Sequence, residues 1–291
     1  FERTVRGITA LQTAHRARWP EPYESILVDG CIRTGREVND GGAVSYQTGV
    51  QFVGLATVTD SLMALKQFVF ERGELSLADL SKLTADDFSD SELLRMKIFR
   101  GTVRFGMDEE AVNRMAEELF SFCCDTAGGY RDIWGGIYTA SFYTLTAHVG
   151  FGKRVGATPD GRRAFTPLSD ASSPSQGVRS GGITEILATQ AKLPHHRAIN
   201  GTLLNMKLSR KLLSGDEGSS RLAELIDAYF GMGGFHVQFN VVDAETLRDA
   251  QQNPEKYPDF LIRVAAYVTN WHQLSREVQN EIIARVEMES F

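Results

Sequence analysis

An α/β fold is predicted, and three observations predict it. Helical and strand-like periods alternate along the 291 residues instead of gathering into a run of helices. Hydrophobic residues make up 42% and charged residues 23%, the balance of a globular chain able to bury a core. Glycine and proline punctuate the periodic stretches, with no internal repeat or low-complexity tract among them.

Residues 1–17 read as a helix with Val5, Ile8 and Leu11 at helical spacing, ended by Trp19-Pro20-Glu21-Pro22, since proline cannot continue a helix and restrains the residue before it. A short helix over residues 25–31 and the glycine-punctuated stretch 41–46 come next. A strong helix is predicted over residues 58–71, with Leu62, Leu65 and Val69 on the core-facing side. Residues 86–99 and 109–125 show further helical periods, the second opening on acidic residues that suit the helix dipole. Between 128 and 161 the composition turns to glycine and aromatics, which predicts close backbone approach. An extended loop reaches Gly182, residues 201–206 and 236–241 read as strands, and 219–230 as a helix. Asp243 starts a helix that Asn253-Pro254 stops, and a terminal helix over 274–287 turns Val278, Ile282 and Ile283 inward.

Several function classes fall away. The formal charge of −6 is spread without a basic stripe, so neither nucleic acid nor an anionic membrane surface is an expected partner. Apolar runs such as 68–70 and 282–284 are far short of the roughly eighteen residues that a membrane span needs. Three cysteines, Cys31, Cys123 and Cys124, are too few for a disulfide framework or a zinc site, which fits a reducing cytoplasm. Cys123 and Cys124 lie in an apolar helix and read as buried, inert thiols. The stretch from Gly150 to Gly156 lacks the spacing of a dinucleotide fingerprint, and Lys153 is followed by arginine where a phosphate loop has serine or threonine. His195 and His196 are adjacent and point apart, so they read as a solvated loop, and no metal site is expected. The opening Phe1-Glu2-Arg3-Thr4-Val5 has neither methionine nor a signal segment, and predicts a fragment of a longer protein.

The specific signals are longer strings. Asp60-Ser61-Leu62-Met63-Ala64-Leu65-Lys66 is followed by Gly156-Ala157-Thr158-Pro159-Asp160-Gly161-Arg162-Arg163-Ala164, and then by Gly201-Thr202-Leu203-Leu204-Asn205. Farther on stand Gly233-Gly234-Phe235-His236-Val237-Gln238-Phe239-Asn240-Val241-Val242, Leu247-Arg248-Asp249-Ala250-Gln251, Pro254-Glu255-Lys256-Tyr257 and Asp259-Phe260-Leu261-Ile262-Arg263-Val264. In this order they resemble the glycyl radical enzymes of the pyruvate formate-lyase type, over most of the chain from Pro22 to Phe291. The resemblance implies the second half of a ten-stranded barrel for residues 1–160 and a glycine radical domain for residues 165–291.

It also implies a site. The family motif Arg-Val-x-Gly-Tyr, whose glycine stores the radical, aligns with Arg263-Val264-Ala265-Ala266-Tyr267, so Ala266 occupies the radical position. A glycyl radical flattens between its amide and carbonyl without a side chain to clash, and alanine carries methyl in place of the hydrogen that family activases remove. Arg263, Val264 and Tyr267 frame the loop by inheritance, and His236, Gln238 and Asn240 either support it or satisfy buried backbone groups. The family's thiyl cysteine falls upstream of Phe1, while Cys31 aligns with a scaffold position. The resemblance implies the C-terminal portion of a radical C–C, C–N or C–O lyase, dehydratase or decarboxylase, with no bound cofactor. Its expected partners are a radical S-adenosylmethionine activase, the missing half-barrel in cis or in trans, and a second copy of the parent in a homodimer. Without that half-barrel the implied fold exposes strand edges. The alternatives are a catalytically silent homologue that partners an active enzyme, favoured by Ala266, and an engineered substitution that traps an unactivatable form. Trp271 faintly resembles the arylacetate decarboxylase branch, although one aromatic there reads more simply as core packing.

Overall fold

The computed structural model describes residues 1–178, 182–265, 267–285 and, by backbone alone, 287–288. It divides into two units, residues 1–50 with 121–141 and 197–200, and residues 51–120 with 142–196 and the described residues from 201 onward.

In the first unit, α1 (Glu2–Arg18) stops where the prolines predict, and none of its residues is buried. The single helix expected over residues 25–31 is instead two, α2 (Pro22–Leu27) and α3 (Cys31–Thr34). Gly30 breaks it: its φ is +103°, and a Cβ there would meet the Gly42 carbonyl oxygen at 2.7 Å. β1 (Gln47–Gln51) pairs with β2 (Ile137–Ser141).

The second unit opens with α4 (Leu55–Ala64), which continues as π-helix over Leu65–Glu71. The helix predicted over 58–71 is therefore present, and Leu65 and Val69 pack against the core as expected. Met63, Ala64 and Phe68 are fully buried beside them, while Val58 is 44% exposed. α5 (Leu77–Ala85) is a helix that the sequence reading does not name, although Ser76 and Asp79 form a reciprocal cap at its start. α6 (Glu92–Gly101) begins later than the predicted residue 86, because Asp87 and Phe88 both hold positive φ in a tight turn that drives the Phe88 ring into the core beside Phe68 and Ile98. α7 (Glu110–Gly128) and α8 (Ala147–Gly152) come next. α9 (Ile183–Ala191) extends just beyond the predicted loop and buries Ile183, Ile186 and Leu187, a helix the sequence pattern does not announce.

The remainder positions the site. β3 (Asn205–Leu208) lies between β4 (Gln238–Val241) and β7 (Glu287–Met288) in a parallel sheet of order β4-β3-β7. Both predicted strands thus start later than their sequence runs, by residues that turn into the sheet. α10 (Gly215–Gly231) connects β3 to β4, as a parallel pair requires, and packs Tyr229 against Met206 and Leu208. After α11 (Ala244–Gln252), β5 (Leu261–Arg263) and β6 (Val268–Asn270) make an antiparallel hairpin, and α12 (Arg276–Ala284) leads into β7. Trp271, fully buried among Val242, Leu247, Ile262, Val264 and Ile282, packs this core as the simpler reading expects.

His195 departs from its expectation as a solvated residue. It sits in a 3-10 turn with its side chain buried, Nδ1 2.8 Å from Thr202 Oγ1 and Nε2 2.7 Å from the Gln190 carbonyl, and burial pushes its pKa below the usual value. Only His196 of the pair is exposed.

Candidate functional site

The β5–β6 register pairs Leu261 with Asn270, Ile262 with Thr269 and Arg263 with Val268, so the chain reverses over residues 264–267. Val264 N–H donates to the Tyr267 carbonyl at 3.0 Å and closes the turn. Val264 and Ala265 are 0% and 1% exposed, Val264 in the Trp271 core and Ala265 against Ala171 and Leu203. Apolar side chains at 262, 264 and 265 account for this burial, since each contributes its area to a core that water cannot reach. The side chains of Arg263 and Tyr267 lie exposed on either side. Ala266, the expected radical position, lies outside the described residues.

The three β4-side residues separate in role. Asn240, on β4, donates from Nδ2 to the Arg263 carbonyl at 2.9 Å and so ties the sheet to the turn. Gln238 donates instead to Asn205 Oδ1, and Asn205 Nδ2 passes the chain of bonds on to Asp170 Oδ2 at 2.5 Å. His236 precedes the strand half-buried; burial and then the Arg263 charge push its pKa down, and its Nδ1 is buried without a partner.

Asp170 belongs to a cluster of four residues that no sequence pattern singles out. Arg285 lies 3.3 Å from Asp170 Oδ2, grips Glu281 through Nε at 3.1 Å and Nη2 at 3.0 Å, and donates from Nη1 to the Val264 carbonyl at 3.2 Å. His148 stands between the carboxylates, with Nδ1 3.6 Å from Asp170 Oδ1 and Nε2 3.3 Å from Glu281 Oε1. All four side chains are 9% exposed or less. Burial alone would raise the Glu281 carboxyl, yet Arg285 and His148 outweigh it and hold Glu281 well below the usual range. Burial likewise opposes the Arg285 charge, and Glu281 and Asp170 overcome it, raising the guanidinium pKa. The one sequence trace of this cluster is Glu281 and Arg285 at i, i+4 at the end of α12, beside the apolar Ile282 and Ile283.

The string 156–164 forms a second buried tie. Arg104 Nη1 is 3.1 Å from both Asp60 Oδ2 and Asp160 Oδ2, joining α4 to this turn. Asp60 also accepts from Phe105 N–H at 2.8 Å and Ser175 Oγ at 2.9 Å, and burial pushes its carboxyl up to about 6 against the pull of Arg104. Arg162 donates to carbonyl oxygens of Arg163 and Thr166 at 2.9 and 2.7 Å, which makes it a fastener of the turn. Cys124 is buried as expected and Cys123 only half-buried; burial still pushes the Cys123 and Cys124 thiols up to about 12 and 11, so neither supplies a thiolate nucleophile near neutral pH. Among the described residues, no group of three or more His, Cys, Asp or Glu side chains could hold a metal ion, and no helix is long and apolar enough to cross a membrane.

Known proteins of the same kind are numerous. The family model for pyruvate formate lyase-like proteins matches residues 1–152, and the glycine radical model matches residues 168–272. The trans-4-hydroxy-L-proline dehydratase of Clostridioides difficile is 34% identical over 283 residues, 97% of this chain and 36% of that protein. The isethionate sulfite-lyase of Bilophila wadsworthia is 36% identical over 237 residues, 81% of this chain and 28% of that protein. The glycerol-bound B12-independent glycerol dehydratase from Clostridium butyricum superimposes with a TM-score of 0.93 at 40% identity, over 97% of this chain and 36% of that one. The chain thus spans about a third of the length of the relatives it matches.

Proposed function

The chain belongs to the glycyl radical enzyme family, and on that footing we propose that it corresponds to the C-terminal portion of a radical lyase or dehydratase, with residues 264–267 as the turn built to store the radical. The carrying observation is the treatment of that turn's backbone: Val264 and Ala265 are sealed from water, and separate side chains, Asn240 and Arg285, hold the carbonyls of Arg263 and Val264. A stored carbon radical needs this exclusion of water and oxygen and this fixed geometry. Residues 1–160 take the part of the second half-barrel and residues 165–291 that of the glycine radical domain, a division the matched family models support. The relatives are named for loss of water from hydroxyproline or glycerol and for release of sulfite from isethionate, so elimination is the reaction class proposed for the parent.

Arg263 and Tyr267 flank the turn, and Gln238 supports it at one remove through Asn205 and Asp170. The partners on this reading are a radical S-adenosylmethionine activase, the first half-barrel in cis or in trans, and a second copy of the parent, in the cytoplasm. The chain as it stands does not accept a radical, because Ala266 presents a methyl group where the activase needs hydrogen. That same residue favours a second reading, in which the chain is a catalytically silent homologue partnering an active enzyme. Anaerobic treatment with an activase and S-adenosylmethionine, followed by electron paramagnetic resonance, tests both. The expected result is no signal from the parent and a carbon-centred doublet from Ala266→Gly. A doublet from the parent sinks the silent reading, and silence from Ala266→Gly with a competent activase overturns the assignment of the turn.

A further inference from the structure

The buried cluster beneath the turn contains a charge imbalance. Asp170 and Glu281 are two carboxylates, and among the described residues Arg285 is the one guanidinium within ion-pair distance of either. Lys207, the other buried cation beside α12, donates to the Ile283 carbonyl at 2.9 Å. Glu281 is held as an anion by three N–H donors, from Gln176 Nε2 at 3.1 Å and from Arg285 Nε and Nη2. If His148 were neutral, the described side chains of this cluster, each 9% exposed or less, would carry one net negative charge, a costly state where so little water reaches them.

Hydrogen-bond directions place one of the ring hydrogens. Thr144 Oγ1 gives its single hydrogen to Asp170 Oδ1 at 2.7 Å and accepts Ala171 N–H at 3.1 Å, so toward His148 Nδ1, 3.0 Å away, it can only accept. Nδ1 therefore carries hydrogen. The other nitrogen, Nε2, faces Glu281 Oε1 at 3.3 Å, off the hydrogen-bond line but close enough that a lone pair there would oppose the carboxylate. Both ring nitrogens protonated bring the cluster to neutrality.

We propose that Arg285 is the positioning residue of the 264–267 turn, and that it holds the Val264 carbonyl only while an imidazolium at His148 balances Asp170 and Glu281. This deepens the reading of the turn as the radical store and rests on that reading for its functional meaning. Loss of the His148 charge leaves excess negative charge that favours a hydrated, opened cluster, which releases the carbonyl. The four groups come from α8, from the segment before Asn205 and from the end of α12, so the turn is bolted to three separate stretches of chain by one ionic joint.

Amide hydrogen exchange on the full chain tests this, with the Val264 N–H, bonded to Tyr267, as reporter and the Trp271 N–H, bonded to the Phe260 carbonyl at 2.8 Å in the same core, as control. His148→Gln is expected to speed exchange at Val264 about tenfold or more, consistent with losing a charge-assisted contact. Glu281→Gln alone leaves excess positive charge and is expected to speed it as well. The double variant His148→Gln with Glu281→Gln restores neutrality and is expected to bring Val264 back to within about threefold of the parent. The proposal is overturned if His148→Gln leaves Val264 unchanged, if the double variant exchanges faster than either single one, or if Trp271 accelerates in step with Val264. No radical enters the measurement, so its outcome and that of the resonance experiment on Ala266→Gly stand or fall separately.

Discussion

Asp60→Asn isolates one buried charge whose effect can be worked out in advance. Asp60 is fully buried, and its carboxyl is pushed from 3.8 up to about 6 by desolvation, with Arg104 opposing and Asp160 adding to the rise. A folded-state pKa above the unfolded one means that the folded chain holds the proton more tightly. Its contribution to stability is complete below about pH 4, shrinks as the unfolded chain ionises, and is lost as pH rises through 6. The shift corresponds to about 3 kcal/mol of stability lost from the parent between these limits. Asparagine has no such titration, so the difference between parent and variant should change by most of that amount from pH 4 to pH 7.5. In urea unfolding with a slope near 3 kcal/mol per molar, that is a relative midpoint shift of about 1 M. The comparison cancels the titration of groups remote from Asp60, the Glu281 cluster included, while Asp160, which shares Arg104 with it, remains part of the difference. Parallel stability curves for the two proteins, at any absolute offset, would refute a raised Asp60 carboxyl and with it the tightness of the joint between α4 and the 156–164 turn.

The site yields two further expectations. Asn240→Ala leaves the Arg263 carbonyl without its donor and is expected to cost about 1–3 kcal/mol in denaturant unfolding, with faster exchange at Val264; an unchanged midpoint would remove Asn240 from the turn's supports. Cys123 and Cys124, held as thiols by burial, should react with an aromatic disulfide reagent at pH 8 far more slowly in the folded chain than in urea, and rapid labelling of either in the native protein would contradict their placement.

The strands, α10, α11 and the terminal helix are legible in the sequence because each rests on local period and a local stop, such as Asn253-Pro254 after α11. The family strings add order to those elements, and the turn at 264–267 comes from them alone. What stays hidden depends on partners remote in sequence. The π-turn after Ala64 looks like ordinary helix in a pattern of apolar residues, since Leu62, Leu65 and Val69 suit an unbroken α-helix equally well. His195 is buried because Thr202 and Gln190 receive its ring nitrogens, a match that no spacing announces. The ionic joint draws His148, Asp170, Glu281 and Arg285 from three places, each residue ordinary where it stands in the chain. The cap at Ser76 is a visible signal, and α5 could be found from it.

The hairpin of β5 and β6 is a sheet of its own, separate from the ladder of β4, β3 and β7 among the described residues. Lifting it outward as a stiff paddle would therefore sever none of that ladder's rungs, and would cost the grip of side chains and the wetting of Ile262, Val264 and Ala265. The hairpin's own internal bonding is thus independent of the side-chain clasps that hold it in its seat.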